Sequence, residues 1–439
     1  MKGDKKGIME QINVILSGII MPVLLMGTGI YFAVRLRLFY ILHPIKLCRA
    51  LGEAGDGGGI SPFRALTAAL AGTLGVGNMA GVATAISAGG PGAVFWMWIS
   101  ALCAMSIKYV EVYLSVDTRI DTGEGYVGGA MYYIERIIRG KKAYMLSSFF
   151  AIMCAVNSLL TGNIVQVNSA VSAMEGIDPV LVGAVIGIAG MLLARGGGRL
   201  VSGATVILIP ILSLAYIIIC LAIIFNNHER LGEVFERIFR EAFSLRSVGG
   251  GIGGYAVSRA MRFGITRGIF SNEAGCGTSP TAHAQAETKS AHHQGCFGIF
   301  EVFADTVVLC TMTAVVILLC DGEGLDGIPL TLYAFESLCG KWASLAVAVS
   351  VVLFAFATVI SQSVYGLVSL KYLGGKKYIR RIYLLCVAAS SMVGAVISQG
   401  IMWQIADLVV SMMTVINVCC LLCGAMREEF SQTVFRNNK

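Results

Sequence analysis

Three groups of small polar residues interrupt an otherwise apolar chain of 439 residues. Thr73 and Asn78 lie in the glycine-rich run LAGTLGVGNMAGVATAISAGG that begins at Leu70. Ser271, Asn272, Glu273, Thr278 and Ser279 lie in GITRGIFSNEAGCGTS. Thr358, Ser361, Gln362 and Ser363 lie in FAFATVISQSVYG, and the first three, at i, i+3 and i+4, share one helix face. Hydroxyls, amides and unwound peptide carbonyls are the oxygen donors that a membrane protein offers a sodium ion. A single Ser or Thr in a helix usually bonds back to its own backbone. Three polar residues on one face, matched to two glycine-rich segments elsewhere, point instead to a shared ion or solute site.

The stretch 70–98 reads as a membrane helix that cannot stay helical. Gly72, Gly75, Gly77 and Gly81 fall inside it, and each costs about 1 kcal/mol of helix propensity relative to Ala. Unwound backbone within a bilayer persists only where protein or a water-filled cavity satisfies its polar groups. A helix broken by glycines with an Asn at the break is the pattern of a transporter that binds its cargo near the midplane. Close packing through small residues explains glycine alone, but packing has no need of Asn in the gap. The free N–H groups of a half-helix receive a carboxylate without an Arg, and opposed carbonyl ends receive an ammonium group, so a zwitterion suits this geometry. Gln166 and Asn168, in TGNIVQVNSA, add amide donors and acceptors. An unpaired buried Gln costs about 1–3 kcal/mol and therefore needs a partner.

Charged residues inside apolar segments are functional candidates. Lys108 and Glu111, at i and i+3, are spaced to pair with each other. Glu301 and Asp305 stand at i and i+4, and Glu273 sits at the second glycine-rich segment. Each of these three carboxylates could bind a proton, accompany a cation, or pair with Arg259, Arg262 or Arg267. His283, His292 and His293 fall in a polar loop, where solvated or gating roles are expected. Cys419, Cys420 and Cys423 form CCxxC without His or carboxylate partners, a pattern of packing rather than of metal ligation.

The elements that must hold these residues are membrane helices. The chain is 56% hydrophobic and 13% charged, with a mean hydropathy of +0.76, against about 25% charged in a soluble domain. Eleven spans are expected near 11–34, 65–86, 92–116, 145–173, 179–194, 201–225, 250–280, 294–320, 342–372, 382–399 and 402–425. No signal-peptide cleavage pattern precedes the first of them. The alternate loops 35–64, 117–144, 195–200, 281–293, 371–381 and the tail from 426 carry 21 Lys and Arg, whereas the opposite set carries 8. That asymmetry puts the N-terminus outside and the C-terminus in the cytoplasm. The expected organisation is an extra N-terminal helix and linker (1–64), a five-helix repeat (65–225), an extracellular connection (226–249), a second five-helix repeat (250–425) and a cytoplasmic tail (426–439). Because five is odd, the second repeat enters the membrane inverted, and each opens with a broken helix. Phosphate-binding loops and dinucleotide fingerprints at strand–helix junctions are absent from the sequence, which argues against ATP-driven pumping by this chain.

The run GTLGVGNMAGVATAISAGGPGAVFWMW, followed by KYVE at 108–111, closely resembles the signature of the alanine/glycine:cation symporters, also called the sodium:alanine symporter family. RGIFSNEAGCGTSPTAHA at 267–284 and TGNIVQVNS at 161–169 resemble its other hallmark segments. The resemblance runs end to end and implies an all-α membrane protein of the leucine-transporter type, with two inverted five-helix repeats whose first and sixth core helices are broken. It implies backbone contacts from Val76 and Gly77 to a substrate carboxylate. One sodium site would use Asn78 and the Thr73 carbonyl. The other would use the carbonyls of Ala71 and Leu74 with the Thr358 hydroxyl. Gln166 matches a pocket glutamine, and Phe270 with Ser271 match the unwound part of the second broken helix, where Ser271 is an expected sodium ligand. Gln362 stands where the family usually carries a Trp, which extends the expected substrates from alanine and glycine to serine, asparagine and glutamine.

The expected activity is Na+-coupled import of a small neutral amino acid by alternating access. The alternatives are an H+-coupled permease, with Glu273 or Asp305 carrying the proton, and an amino-acid-gated channel or sensor on the same fold. The expected partners are the amino acid, Na+ and the lipid bilayer of the cell membrane, with no nucleic acid, no cofactor, no metal other than Na+ and no enzyme chemistry. The topology is checked with a single Cys placed in the 371–381 loop of a cysteine-free protein. A membrane-impermeant thiol reagent should leave it unlabelled in sealed cells and label it after permeabilisation; labelling in sealed cells would reverse the orientation.

Overall fold

The computed structural model describes residues 13, 15–52, 59–123, 125–243, 259–320, 322, 324–427 and 434. The expected start of the seventh span (250–258), the last six residues of the 226–249 connection (244–249) and most of the tail from 426 lie outside the described residues. The described chain is built almost wholly of helices: α1 (Leu16–Arg35), α2 (Pro62–Thr73), α3 (Ala80–Gly89), α4 (Ala93–Asp117), α5 (Ala130–Ile138), α6 (Lys141–Ala173), α7 (Pro179–Ala194), α8 (Gly197–Asn226), α9 (Leu231–Ala242), α10 (Arg259–Asn272), α11 (Pro280–His283), α12 (Ala291–Leu318), α13 (Gly327–Cys339), α14 (Lys341–Tyr372), α15 (Lys377–Val396) and α16 (Gln399–Ala425). Eight of them, α1, α4, α6, α8, α12, α14, α15 and α16, are long and apolar enough to cross a membrane. The pair α2 and α3, bent by 60°, makes a ninth candidate as a broken span. α7 is apolar but has only 16 residues, fewer than the roughly 20 that a perpendicular span needs.

The first break forms where the sequence predicts it. Ser61 caps α2 by accepting the Arg64 N–H, and Pro62 fills the first helical position, where its missing donor costs nothing. The helix ends at Thr73; Gly75 then takes φ −102° and ψ −144°, and Val76–Asn78 form a single 3₁₀ turn before α3. The second break follows Asn272. Glu273, Gly275 and Gly277 adopt φ of 51°, 83° and 76°, in the left-handed region that glycine enters freely and other residues rarely do. The Asn272 side chain accepts the Ala274 N–H at 3.0 Å, and Pro280 starts α11.

α4 carries two helices of the second half, α10 and α12. Gly268 of α10 lies where an added Cβ would come within 2.7 Å of the Ser100 hydroxyl, and Gly295 and Gly298 of α12 lie where one would meet Tyr109 at 2.7 Å and Val112 at 2.8 Å. Small residues bring helices together where burial of apolar surface from water cannot. Two π-helical turns widen helices beside the breaks: Leu160–Ile164 within α6 and Phe303–Cys310 within α12. Such turns concentrate at functional sites because they displace a carbonyl and rotate the side chains that follow.

The glycine contacts give a direct test. Gly295→Ala forces a methyl into the Tyr109 ring, and overpacking of this kind costs about 1–3 kcal/mol. The thermal midpoint of the purified protein in detergent should fall by several degrees, whereas Gly232→Ala, with nothing within 4 Å of its added Cβ, should not lower it.

Candidate functional site

The two breaks lie against each other. A Cβ on Gly77 would approach the Ser271 Cα to 3.1 Å, so glycine lets the first break touch the second. Between them sits Asp305, fully buried on the π-helical turn of α12. Its Oδ1 accepts the Asn78 amide at 2.8 Å, and its Oδ2 accepts the Ser271 and Thr306 hydroxyls at 2.8 and 2.7 Å. The Asp305 carbonyl takes a further Asn78 bond at 2.9 Å, and Asn272 donates to Thr306 at 3.0 Å. The Cys310 thiol adjoins Asn78 and Ser271 at 3.5 and 3.3 Å. Asn78 spends its donors on Asp305, and its buried Oδ1 has no partner among the described residues.

A second group forms where α14 and α6 meet the first break. Thr358 donates to the Ala71 carbonyl at 2.9 Å and to Phe354 in its own helix at 3.0 Å. Gln166 accepts the Val76 N–H at 3.1 Å and donates to the Thr161 carbonyl at 3.0 Å. That is the partner its burial requires. Gly75 completes the arrangement, since a Cβ there would lie 2.8 Å from the Thr358 hydroxyl. The Thr73 hydroxyl turns back to Ala69 at 3.3 Å, and its carbonyl accepts the Gly75 N–H at 2.7 Å. A cavity of about 10 Å³ lies beside this group, lined by Leu74, Gly75, Asn78, Met79, Tyr216 and Phe354 among others.

Gln362 joins both breaks to α14. Its Nε2 donates to the Gly72 carbonyl at 3.2 Å and to the Glu273 carboxylate at 2.8 and 3.0 Å, and Glu273 also accepts the Thr278 hydroxyl. The buried Gln362 Oε1 has no partner among the described residues. Ser361, on the same helix face, has a buried hydroxyl without a partner among them as well.

Several expected pairings are replaced by others. Lys108 and Glu111 share a face of α4 but do not bond each other. Lys108 reaches Ser279 at 2.6 Å and Glu301 at 3.4 Å, while Glu111 accepts the backbone N–H groups of Gly275 and Gly277, each at 3.0 Å, and the Asn417 amide at 2.6 Å. His283 is not solvated; it is fully buried between Glu301, at 3.0 Å, and Gln294, at 2.8 Å. Arg267 pairs with none of the three expected carboxylates. It forms a two-pronged ion pair with Asp407 at 3.0 and 3.3 Å and lies 4.3 Å from the Trp403 ring centre, and Trp403 packs edge-on against Phe270. Phe270 is thereby held by a contact 133 positions along the chain. Asp407, Thr306, Cys310, Asn417 and Trp403 were not anticipated. A lone acid within the apolar span 402–425 was a readable signal for Asp407, but nothing in the spacing distinguishes Cys310 from the other twelve cysteines.

Comparison with known proteins identifies the family. The sequence profile of the sodium:alanine symporter family matches residues 3–432. The chain is 36% identical over 438 residues to the sodium/alanine symporter AgcS of Methanococcus maripaludis, covering 95% of this chain and 94% of that protein. It is 34% identical over 409 residues to the probable sodium/glutamine symporter GlnT of Bacillus subtilis, covering 91% and 84%. In three dimensions it resembles the crystal structure of the Eremococcus coleocola manganese transporter, with a TM-score of 0.53, 14% identity, and coverage of 83% of this chain and 78% of that one; at that identity the likeness concerns the fold alone. The chain therefore belongs to the sodium:alanine symporter family, a family of multi-pass membrane transporters rather than enzymes.

Proposed function

We propose that this protein is a secondary active symporter that imports a small neutral amino acid together with Na+ by alternating access. The observation that carries the reading is the meeting of Asn78 from one break and Ser271 from the other on the buried Asp305. Oxygen donors from both halves of the molecule converge there, as an ion site at a repeat interface requires. In this reading Asn78, Ser271 and the Thr73 carbonyl serve one sodium ion, and Ala71, Leu74 and Thr358 serve another. Val76, Gly77 and Asn78 receive the substrate carboxylate, with Gln166, Phe270 and Gln362 around the rest of the substrate. Relatives named for alanine and for glutamine support a neutral amino acid.

The same reading has eleven spans: the eight long helices, the bent pair, α7, and α10 with α11. It has two inverted repeats of the leucine-transporter type over 65–225 and 250–425, the N-terminus outside and the C-terminus cytoplasmic. Two internal echoes support the repeat. Each half contains a helix broken at glycines. Each also contains a short helix, α5 or α13, that hands over to a long one through a glycine at φ 84° or 83° followed directly by Lys. In this reading two sets of contacts serve as the closures of alternating access. Arg267, Asp407 and Trp403 cover one side of the breaks, and on the other Ile60 and Ala286 form a parallel bridge beside the Tyr365–Ala68 bond. H+ coupling is a second reading, favoured by one observation: among the described residues neither Asp305 nor Glu273 forms an ion pair.

Uptake of labelled alanine and glutamine into proteoliposomes should follow an imposed Na+ gradient and be indifferent to a pH gradient; the reverse pattern would select H+ coupling. Thr358→Ala should raise the Na+ concentration needed for half-maximal uptake several-fold, with the defect shrinking as Na+ rises, because ligand concentration offsets lost affinity. An unchanged Na+ dependence would remove Thr358 from the ion site.

Gln362→Trp should shift the competition ranking from polar substrates towards alanine and glycine. Losing a hydrogen-bond partner in a polar pocket is penalised more heavily than the roughly 1–3 kcal/mol of a misfitted methylene. An unchanged ranking among alanine, glycine, serine, asparagine and glutamine would place Gln362 in packing alone.

A further inference from the structure

The two breaks differ in what already occupies their peptide N–H groups. At the first, the Val76 N–H meets the Gln166 side-chain oxygen, a neutral acceptor on another helix. At the second, two N–H groups from residues two apart, Gly275 and Gly277, point at one carboxylate, that of Glu111. Converging backbone donors of this kind form a nest, a concavity that binds anions. Both glycines hold φ near 80°, and a Cβ on Gly277 would strike Ala130 and Phe150 at 2.7 and 2.8 Å. The nest is therefore specific to glycine at this point. Asn417 closes it: its Nδ2 donates to Glu111 at 2.6 Å and to the Gly275 carbonyl at 2.8 Å, while its Oδ1 accepts the Tyr133 hydroxyl at 2.7 Å. Glu111 is fully buried, and all three of these contacts are donations to it. Lys108, one turn back on α4, supplies a neighbouring positive charge, though its direct contacts are Ser279 and Glu301.

We propose that Glu111 is a built-in anion seated in an anion-binding nest at the second break, and that a vacated nest takes a small monovalent anion such as chloride. Its carboxylate fixes residues 273–279 in their unwound course and keeps the nest closed to any other anion. The first break, whose amide is held only by a neutral side chain, is then left to receive the substrate carboxylate. This gives the substrate its polarity between two otherwise similar breaks. The orientation of the substrate rests on the symporter reading above; the anion site rests on the geometry of Glu111 alone.

The test compares wild type, Glu111→Ala and Glu111→Gln in sodium chloride and in sodium gluconate. Truncation to Ala strands three buried donors, and each unpaired group is worth about a tenfold penalty. The purified Glu111→Ala protein should melt several degrees lower than wild type in gluconate and recover in a saturable manner as chloride replaces it. Wild type should not respond to the exchange. Glu111→Gln fills the space and turns an amide NH2 towards the nest, so it should be destabilised without chloride rescue. Uptake by Glu111→Ala should become chloride-dependent, at least tenfold lower in gluconate. If Glu111→Ala does not accumulate, Glu111→Asp, whose shorter side chain draws the carboxylate back from the nest, should show a smaller chloride shift of the same sign. A melting temperature of whichever variant is obtained that ignores chloride overturns the anion site, because this readout needs no transport. Chloride-dependent melting of the variant, with no substrate uptake by wild type in any medium, would instead retain the anion site and overturn the symporter reading.

Discussion

A peptide group that leaves a helix inside the bilayer has no water to bond, and each orphan costs several kcal/mol. This protein opens its backbone at two points that lie against each other, so it must supply internal partners for two sets of freed groups at once. Much of the polar inventory of the interior follows from that need. Asn272 turns back to cap Ala274, Thr358 answers the Ala71 carbonyl, Gln362 answers the Gly72 carbonyl, and Glu111 answers Gly275 and Gly277. The Asn78 and Gln362 oxygens that have no partner among the described residues lie at these same breaks.

The helices around the breaks work as holders. α4 gives Glu111 and Lys108 to the second break, α12 gives Asp305 to both, and α14 gives Thr358 to the first and Gln362 to both. Each holder is brought close by glycine or by a π-helical turn. Without Gly295 and Gly298, α12 could not lie against α4, and without Gly162 the Gln362 side chain would collide with α6. The glycine content of the chain thus serves two purposes, opening the backbone at the breaks and thinning the helices that surround them. A ligand that bridged the two breaks would be linked to α4, α12 and α14 together.

Much of this was readable in the sequence, because it depends on local chemistry. Glycine's φ freedom, the cost of Pro and Gly in helices and the length of an apolar run all act within a few residues. They located both breaks, the long apolar helices and the polar residues that line the gap. The family resemblance named Ala71 and Thr358 for one sodium site and Gln166 as a pocket glutamine; the structure adds that Thr358 donates to the Ala71 carbonyl and that Gln166 accepts the Val76 N–H.

The partners of the charged residues were beyond it. Spacing at i and i+3 places Lys108 and Glu111 on one face of a helix, but it cannot say what that face meets. Packing rotates the face towards the second break, and the two charges are drawn to separate partners, at residues 275–279 and at Glu301 and Asn417. Arg267 finds Asp407, 140 positions away, for the same reason, and His283 is sealed between Glu301 and Gln294 rather than left in water. The sequence by itself determined where the backbone must open and which atoms would then need partners. Only the tertiary structure decided which partner each received, since a buried charge takes the best-placed complementary group, charged or polar, that packing brings within reach, wherever that group lies along the chain.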